Sequence, residues 1–582
     1  MIVARSNACT RAFAAILAAT IALQPLAAHA AAIVETLAEV PIQGLNPVKP
    51  NIVFTMDDSG SMGWDFLPDY VAWVVGAAHC RDGIQCGGAT SAPGGGYTFS
   101  QYDPPVRSAN YNGVYYDPSA FYRAGKKADG NDMPCEGADA TCGAPWTAVY
   151  VNGFAGYPGA NTGGTIDLTT GYPDSVWCWK SGPTTAEKQT ADSNGSVCRR
   201  NGRSYTAATV SGNTTPAIAA GYNYPNASVT CVGTERCKFV YDFALNGNPY
   251  YYKVSQIQFC AAKDSAGWGT TPCTSQWDPT TYKYVRYGTG AATFDPQAFT
   301  RIDIKPSGFL VNGAAGANPS GRTYAQEMAN FANWYAFYRT RILSMKAASG
   351  IAFSALDQNS RVGFHTLWEN STLFTNVKDF TATNKQAWLT NVYKVNPGGG
   401  TPLPDAMWRV GELFAGNLAG STLSGATDPL DPVTGKCQPN FHLLSTDGYW
   451  NSTLSYTSRG NDDLTVPALA NLPGSTGFTP GSQFPRPYYE GPTATSNSLA
   501  DLAMYYWDRD LRPAVADKVK DSIAPWQHVS VYGLSIGARG TISYPNGINA
   551  VTSGTANWPP ATGAGGPEAI DDLWHASVIT RG

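Results

Sequence analysis

The sequence predicts an α/β protein with a doubly wound, mostly parallel sheet, and three observations lead there. Asn51 to Met56 is a short apolar, β-branched run of the kind that forms a buried central strand, and Asp57-Asp58-Ser59-Gly60-Ser61 ends it abruptly. Beyond residue 320, strand-like runs alternate with amphipathic helical stretches, the pattern of parallel βαβ units. Polar or glycine-rich loops follow several of these runs, where open α/β sheets keep their ligand crevice.

Residues 1–30 read as a secretory signal. Arg5 and Arg11 precede or open an apolar run from Ala12 to Leu23, and Ala28-His29-Ala30 offers small-x-small cleavage. That run is too short and alanine-rich to remain as a membrane span, and no other segment is long and apolar enough. Cys9 precedes the run, which excludes it as a lipid-anchor cysteine. Charged residues make up 14 % of the chain, against roughly 25 % in an average soluble protein, while Gly (61), Tyr (32) and Trp (16) are plentiful. This is the composition of a secreted, cell-surface protein. Basic residues are sparse and scattered, so no nucleic-acid partner is expected.

Residues 31–63 form an arm, the first strand and its polar loop, and residues 64–320 intervene before the α/β pattern resumes. Closing a loop of that length costs roughly 5 kcal/mol if it is unstructured, so this insertion is expected to fold by itself. Short Tyr, Thr and Val runs between Gly, Pro and Asn suggest small strands and turns. Of 12 cysteines, ten lie between Cys80 and Cys273, and export favours their oxidation. Sequential pairing would join Cys80 to Cys86, Cys135 to Cys142, Cys178 to Cys198, Cys231 to Cys237 and Cys260 to Cys273. Spacing alone does not fix that connectivity, and Cys437 is left over. The absence of any C-x-x-C argues against a metal role for these cysteines.

Residues 321–582 carry the rest of the α/β pattern. Thr323-Tyr324-Ala325-Gln326 is a capping box opening a helix to about Ser349, with Gly350 as its C-cap. Its stripe of Phe331, Trp334, Tyr335, Tyr338, Ile342 and Met345 reads as core. A strand from Arg361 to Trp368, an edge strand near Thr372 to Val377 and a short helix from Thr383 to Asn391 follow. The Gly398-Gly399-Gly400-Thr401 loop then leads into a helix from Leu403 to Phe414, and Phe441 to Ser445 is a strand ending at Asp447. A smaller Gly-, Pro- and Ser-rich insertion fills residues 448–495. Ser496 to Asp510 is a helix, Gln527 to Ile536 a strand, and Pro567 to Val578 a closing helix with Pro in its first turn.

The loop after the first strand carries the chemistry. Asp57, Ser59 and Ser61 place one carboxylate and two hydroxyls at alternate positions, a donor set suited to a hard divalent cation. This D-x-S-x-S spacing resembles the von Willebrand factor A domain and its metal-ion-dependent adhesion site. The resemblance implies a Thr from a second loop and an Asp from a third, matched here by Thr401 and Asp447. It further implies Mg²⁺, or Mn²⁺ or Ca²⁺, with one coordination position left open for a partner's carboxylate. Asp58 is expected to face away and support the loop.

Three further segments resemble the PilC/PilY family of type IV pilus tip-associated adhesins and assembly factors. They are Tyr111-Asn112-Gly113-Val114-Tyr115-Tyr116-Asp117-Pro118, the run Ser496 to Trp507 (SNSLADLAMYYW), and Ile570-Asp571-Asp572-Leu573-Trp574-His575-Ala576. The resemblance implies a secreted, non-catalytic protein at the pilus tip, possessing minor pilins as partners and a host or abiotic surface ligand. Its implied roles are pilus assembly, adhesion and twitching motility. Family members continue into a β-propeller with a calcium loop, and no D-x-D-x-D loop occurs here, so the sequence is expected to be an N-terminal fragment or one product of a split gene, without the propeller and its functions. A pilus-independent adhesin using the same metal site is the alternative.

Two hydrolase signatures are weaker. Asp58-Ser59-Gly60-Ser61 fits one half of an aspartic protease dyad, and no second D-[ST]-G occurs. Gly533-Leu534-Ser535-Ile536-Gly537 matches a nucleophile elbow, yet Gly540, Pro545 and Gly547 follow where a helix should begin, and His575 is the one downstream histidine. The insertion's Tyr and Trp side chains suit either an adhesive surface or a small core.

Overall fold

A computed structural model describes residues 48–67, 107–110, 112–135, 145–172, 247–254, 300–311, 315–368, 372–466, 481–493, 495–520, 524–538, 540–561 and 565–582 with their side chains, plus residue 479 and short backbone stretches between 80 and 314. The leader expected at residues 1–30 lies outside the described residues.

Strand β1 (Asn51–Met56) is central in a five-stranded sheet. Around it run β2 (Arg361–Thr366), β3 (Thr375–Asp379), β4 (Asn440–Thr446) and β5 (Val529–Ser535), in the order β3-β2-β1-β4-β5. Pairings β1 with β2, β1 with β4 and β4 with β5 are parallel; β3 closes one edge antiparallel to β2. The parallel sheet is as the sequence predicts, and the edge strand sits a few residues later than expected.

Alternation along β1 sends its side chains to two cores. Phe54 and Met56 pack with α1 (Tyr324–Phe337), α2 (Arg341–Ser354) and α3 (Ala382–Lys394) through Phe331, Met345, Phe353 and Trp388. Val53 faces the other way, onto α4 (Leu403–Ala415), α5 (Leu499–Trp507) and α7 (Glu568–Ile579), with Met407, Leu502, Tyr506 and Leu573. Helices on both faces explain why the central strands read as nearly continuous apolar runs. The helix α6 (Asn546–Ser553) had no counterpart in the sequence reading.

Two features differ from expectation. The single helix expected from Thr323 to about Ser349 is two, because the chain leaves helical geometry at Tyr338 and Thr340 caps a new start, its Oγ1 accepting from Leu343 N at 3.4 Å. Gly350 is not a C-cap; it lies inside α2, where a Cβ would stand 2.1 Å from Tyr393 Oη. The capping box at Thr323 and Gln326 is present as read.

The described part of the insertion shares the domain's core. Tyr115, Tyr116, Phe154, Tyr172, Tyr250 and Tyr251 pack in one cluster with Phe331, Trp334 and Phe337 of α1. Tyr116 Oη donates to Glu327 Oε1 at 2.7 Å and Trp334 Nε1 donates to Val114 O at 2.8 Å. The aromatic stripe on α1 is core, and the insertion is what covers it. Backbone register sets Cys178 opposite Cys198 and Cys260 opposite Cys273, within the span a disulfide bridges. Cys135 is disulfide-bonded and Cys437 is free. The remaining sulfur pairings lie outside the described side chains. Among the described residues no helix is long and apolar enough to cross a membrane.

Candidate metal centre

Parallel β1 and β4 end at the same edge of the sheet, which places Asp57 beside Asp447 although 389 residues separate the loops they begin. Asp57 is wholly buried. Its Oδ1 accepts from Ser59 N at 2.7 Å, and its Oδ2 accepts from Thr446 Oγ1 at 2.8 Å and from Asp447 N at 3.3 Å. Ser59 Oγ and Ser61 Oγ are 3.0 Å apart, and Ser61 Oγ donates to Asp447 Oδ1 at 2.9 Å. Three of the five residues predicted from sequence, Ser59, Ser61 and Asp447, are thus linked oxygen to oxygen, and Asp57 joins them through the amides of Ser59 and Asp447. A short 3₁₀ turn, Gly60–Gly63, holds Ser61 in place by burying Met62.

Thr401 arrives on its own loop. Gly60 N donates to Gly399 O at 3.1 Å and Gly398 N donates to Asp58 O at 2.7 Å, so the two loops are joined through backbone. Thr401 is buried and its N–H donates to Asn451 Oδ1 at 3.1 Å, but its hydroxyl is hydrogen-bonded to none of the other four. Gly399 has φ +77°, and a Cβ there would stand 2.5 Å from the Trp368 ring. Only glycine fits that conformation and that approach. Asp58 supports the loop as expected, its Oδ1 accepting from Trp368 N at 2.8 Å.

Burial first, and then the neighbouring Asp447, push the Asp57 carboxyl up to about 7, while hydrogen bonds from Ser59 and Thr446 act the other way. Arg341 supplies a fixed positive charge, with Nη1 2.9 Å from Asp447 Oδ2 and Nε donating to Phe66 O at 2.7 Å. Two crowded carboxylates, two adjacent hydroxyls and a third hydroxyl left unengaged make an all-oxygen set that fits a hard divalent cation. Among the described residues no three His, Cys, Asp or Glu side chains converge on one point, and a site of two carboxylates and three hydroxyls does not require them to.

Sequence reasoning missed Arg341, Thr446, Asn451 and Trp368. Thr340-Arg341 did carry a signal, an N-cap with an arginine at the first helical position, but it was hidden inside the aromatic stripe. The hydrolase signatures form no catalytic pair: Ser535 Oγ donates to Ala538 O at 3.2 Å, while His575 Nε2 is hydrogen-bonded to Tyr488 O at 2.8 Å.

Comparison with known proteins gives one consistent relative. Over 98% of its length the chain is 25% identical to type IV pilus biogenesis factor PilY1 of Pseudomonas aeruginosa strain PAK. It is 24% identical to the protein of that name from P. aeruginosa strains PAO1 and UCBPP-PA14, again over 98%. The chain spans 39% of the length of these curated relatives. No family model matches, and no solved structure matches.

Proposed function

We propose that this chain is a secreted, non-enzymatic, type IV pilus-associated protein that supports pilus biogenesis and binds partners through a divalent cation. The convergence of Asp57, Ser59, Ser61 and Asp447 carries the binding half of this reading. Similarity to PilY1 along nearly the whole chain supports the pilus half. Asp57, Ser59, Ser61, Thr401 and Asp447 would hold Mg²⁺ or Mn²⁺, and the cation would supply a Lewis-acidic position for a carboxylate of a pilin or of a surface ligand. The protein's own residues orient that position: Arg341 fixes Asp447, Asp58 fixes the first loop, and Gly399 lets the Thr401 loop approach. Adhesion and twitching motility are the activities this binding would serve, with minor pilins as partners at the pilus tip.

Immunoblotting of sheared surface fibres tests the pilus half, comparing a piliated strain with one lacking the pilus assembly motor. The protein is expected to travel with fibres only when pili are made. Equal release from both strains would replace this reading with that of a pilus-independent adhesin.

A further inference from the structure

Where the insertion meets the start of α1 lies an open cleft of about 410 Å³, lined by Asn110, Asp117, Ser119, Lys253 and Arg322. That volume is in the range of small-molecule sites. One wall, at Asn110 and Asp117 to Ser119, brackets the YNGVYYDP segment singled out in the sequence, for which the metal centre has no use.

Buried and half-buried hydrogen bonds fix the walls. Val254 N donates to Asn110 Oδ1 at 3.1 Å and Tyr252 N donates to Arg107 O at 2.9 Å, which ties the first wall to the strand Tyr250–Val254. Arg322 Nη1 donates to Pro118 O at 2.6 Å and Nη2 donates to Ala120 O at 2.8 Å, which ties it to the turn ahead of α1. Arg322 also stands 3.4 Å from Glu327 Oε2, so its charge is balanced inside the wall.

Three polar groups of the lining are left over. Asp117 Oδ1 accepts from Ser119 N at 2.8 Å and from Ser119 Oγ at 2.7 Å, while Oδ2 accepts nothing among the described residues. Asn110 accepts through Oδ1, and its amide NH₂ donates to no described residue. Lys253 is exposed and forms no ion pair with Asp117, although both line the same cleft. Water satisfies such groups on an open surface. Here an acceptor, a charged donor and an amide donor converge on one fixed concavity, which is how sites that orient a small ligand are arranged.

The charge pattern selects the ligand class. An anion drawn to Lys253 would meet Asp117 in the same cleft, and a cation drawn to Asp117 would meet Lys253, so either pays for a like charge. A neutral polyhydroxylated ring meets neither penalty. Each hydroxyl can donate to the carboxylate and accept from the ammonium or the amide, while Pro118 and Pro319 offer apolar surface to the ring's C–H face. We propose that this cleft binds a neutral pyranose sugar, as the terminal residue of a surface glycan, through Asp117, Asn110 and Lys253. The site goes beyond the cation reading and needs no metal.

Saturation-transfer difference NMR on the full chain tests it, with D-glucose, D-galactose, D-mannose and N-acetyl-D-glucosamine as probes and D-glucuronate and glycine as charged comparisons. At least one neutral sugar is expected to show saturable binding, with a Kd of roughly 1 mM. Asp117→Asn keeps the oxygen that accepts from Ser119 but removes the charge, and Lys253→Met keeps the stem but removes the ammonium. Each should weaken sugar binding about tenfold or more without lowering Tm. Chelator should leave sugar binding unchanged, which separates this site from the metal centre. No saturable binding by any of the four sugars, wild-type binding in both variants, loss of binding in chelator, or tighter binding of glucuronate or glycine would each overturn the proposal.

Discussion

Arg341 Nη1 lies 2.9 Å from Asp447 Oδ2, with both side chains wholly buried. The pair orients the carboxylate so that Oδ1 is left for Ser61. The guanidinium also lies against the stacked Trp64 and Phe66 rings, 4.9 and 5.1 Å from their centroids, which holds it in place. Arg341→Met therefore strands a buried carboxylate, and denaturant unfolding in chelator should show a loss of about 3 to 5 kcal/mol. Added Mg²⁺ should recover part of that loss, because the cation then supplies the missing positive charge.

Removing ligands should act differently. Asp57→Ala and Thr401→Ala are expected to abolish Mg²⁺- or Mn²⁺-dependent partner binding while far-ultraviolet circular dichroism stays unchanged. Surface plasmon resonance against purified pilins, with and without chelator, measures this. Binding by the variants at wild-type strength would remove the cation from the mechanism.

The Thr401 loop depends on Gly399. With φ +77° and the Trp368 ring 2.5 Å from where a Cβ would be, Gly399→Ala must displace either the loop or the indole. Metal-dependent binding should fall at least tenfold, with a loss of stability on the order of 1 kcal/mol. Trp368 fluorescence, from an indole that is 57 % exposed, reports whether the ring has moved.

Thr55 bridges two buried rings, with Oγ1 2.6 Å from His365 Nε2 and 2.7 Å from His442 Nε2. His365 Nδ1 donates to Thr366 O, so its Nε2 accepts the Thr55 proton and His442 Nε2–H donates to the hydroxyl. Thr55→Val leaves both ring nitrogens unpartnered at the centre of the sheet. Denaturant unfolding should show a cost of roughly 2 kcal/mol or more.

Lys346 gives the fold a pH dependence. Its Nζ donates to Tyr393 O at 2.8 Å, and burial pulls its pKa from the ordinary 10.5 down to about 7. Between those values the unfolded chain holds a proton that the folded chain has released, so this group makes stability rise with pH from about 7 toward 10. Below about 7 both states are protonated and the full cost of the buried charge remains. Lys346→Met should therefore stabilise the protein at pH 6 by on the order of 2 kcal/mol, with the gain fading toward pH 10. Urea unfolding at both pH values measures it.

The sheet was legible because its central strand buries both faces and so reads as an unbroken apolar run. The Asp57 loop stood out as a candidate site because its oxygen donors sit on alternate residues of one short segment. What escaped depended on contacts across long stretches of chain. Arg341 acts on a residue 106 positions away. The insertion's tyrosines pack on α1 as well as on one another, and no local pattern in residues 107–254 announces the contact with the helix. Gly350 was misread because a glycine that admits Tyr393 Oη looks, in sequence, like one that ends a helix.

The central claim is a divalent cation held by Asp57, Ser59, Ser61, Thr401 and Asp447. Electron paramagnetic resonance titration of Mn²⁺ into the chelated protein tests it most directly. The account predicts one bound Mn²⁺ per chain, lost when Asp57→Ala is added. No bound Mn²⁺ in the chelated protein, or the same binding after Asp57→Ala, would contradict it.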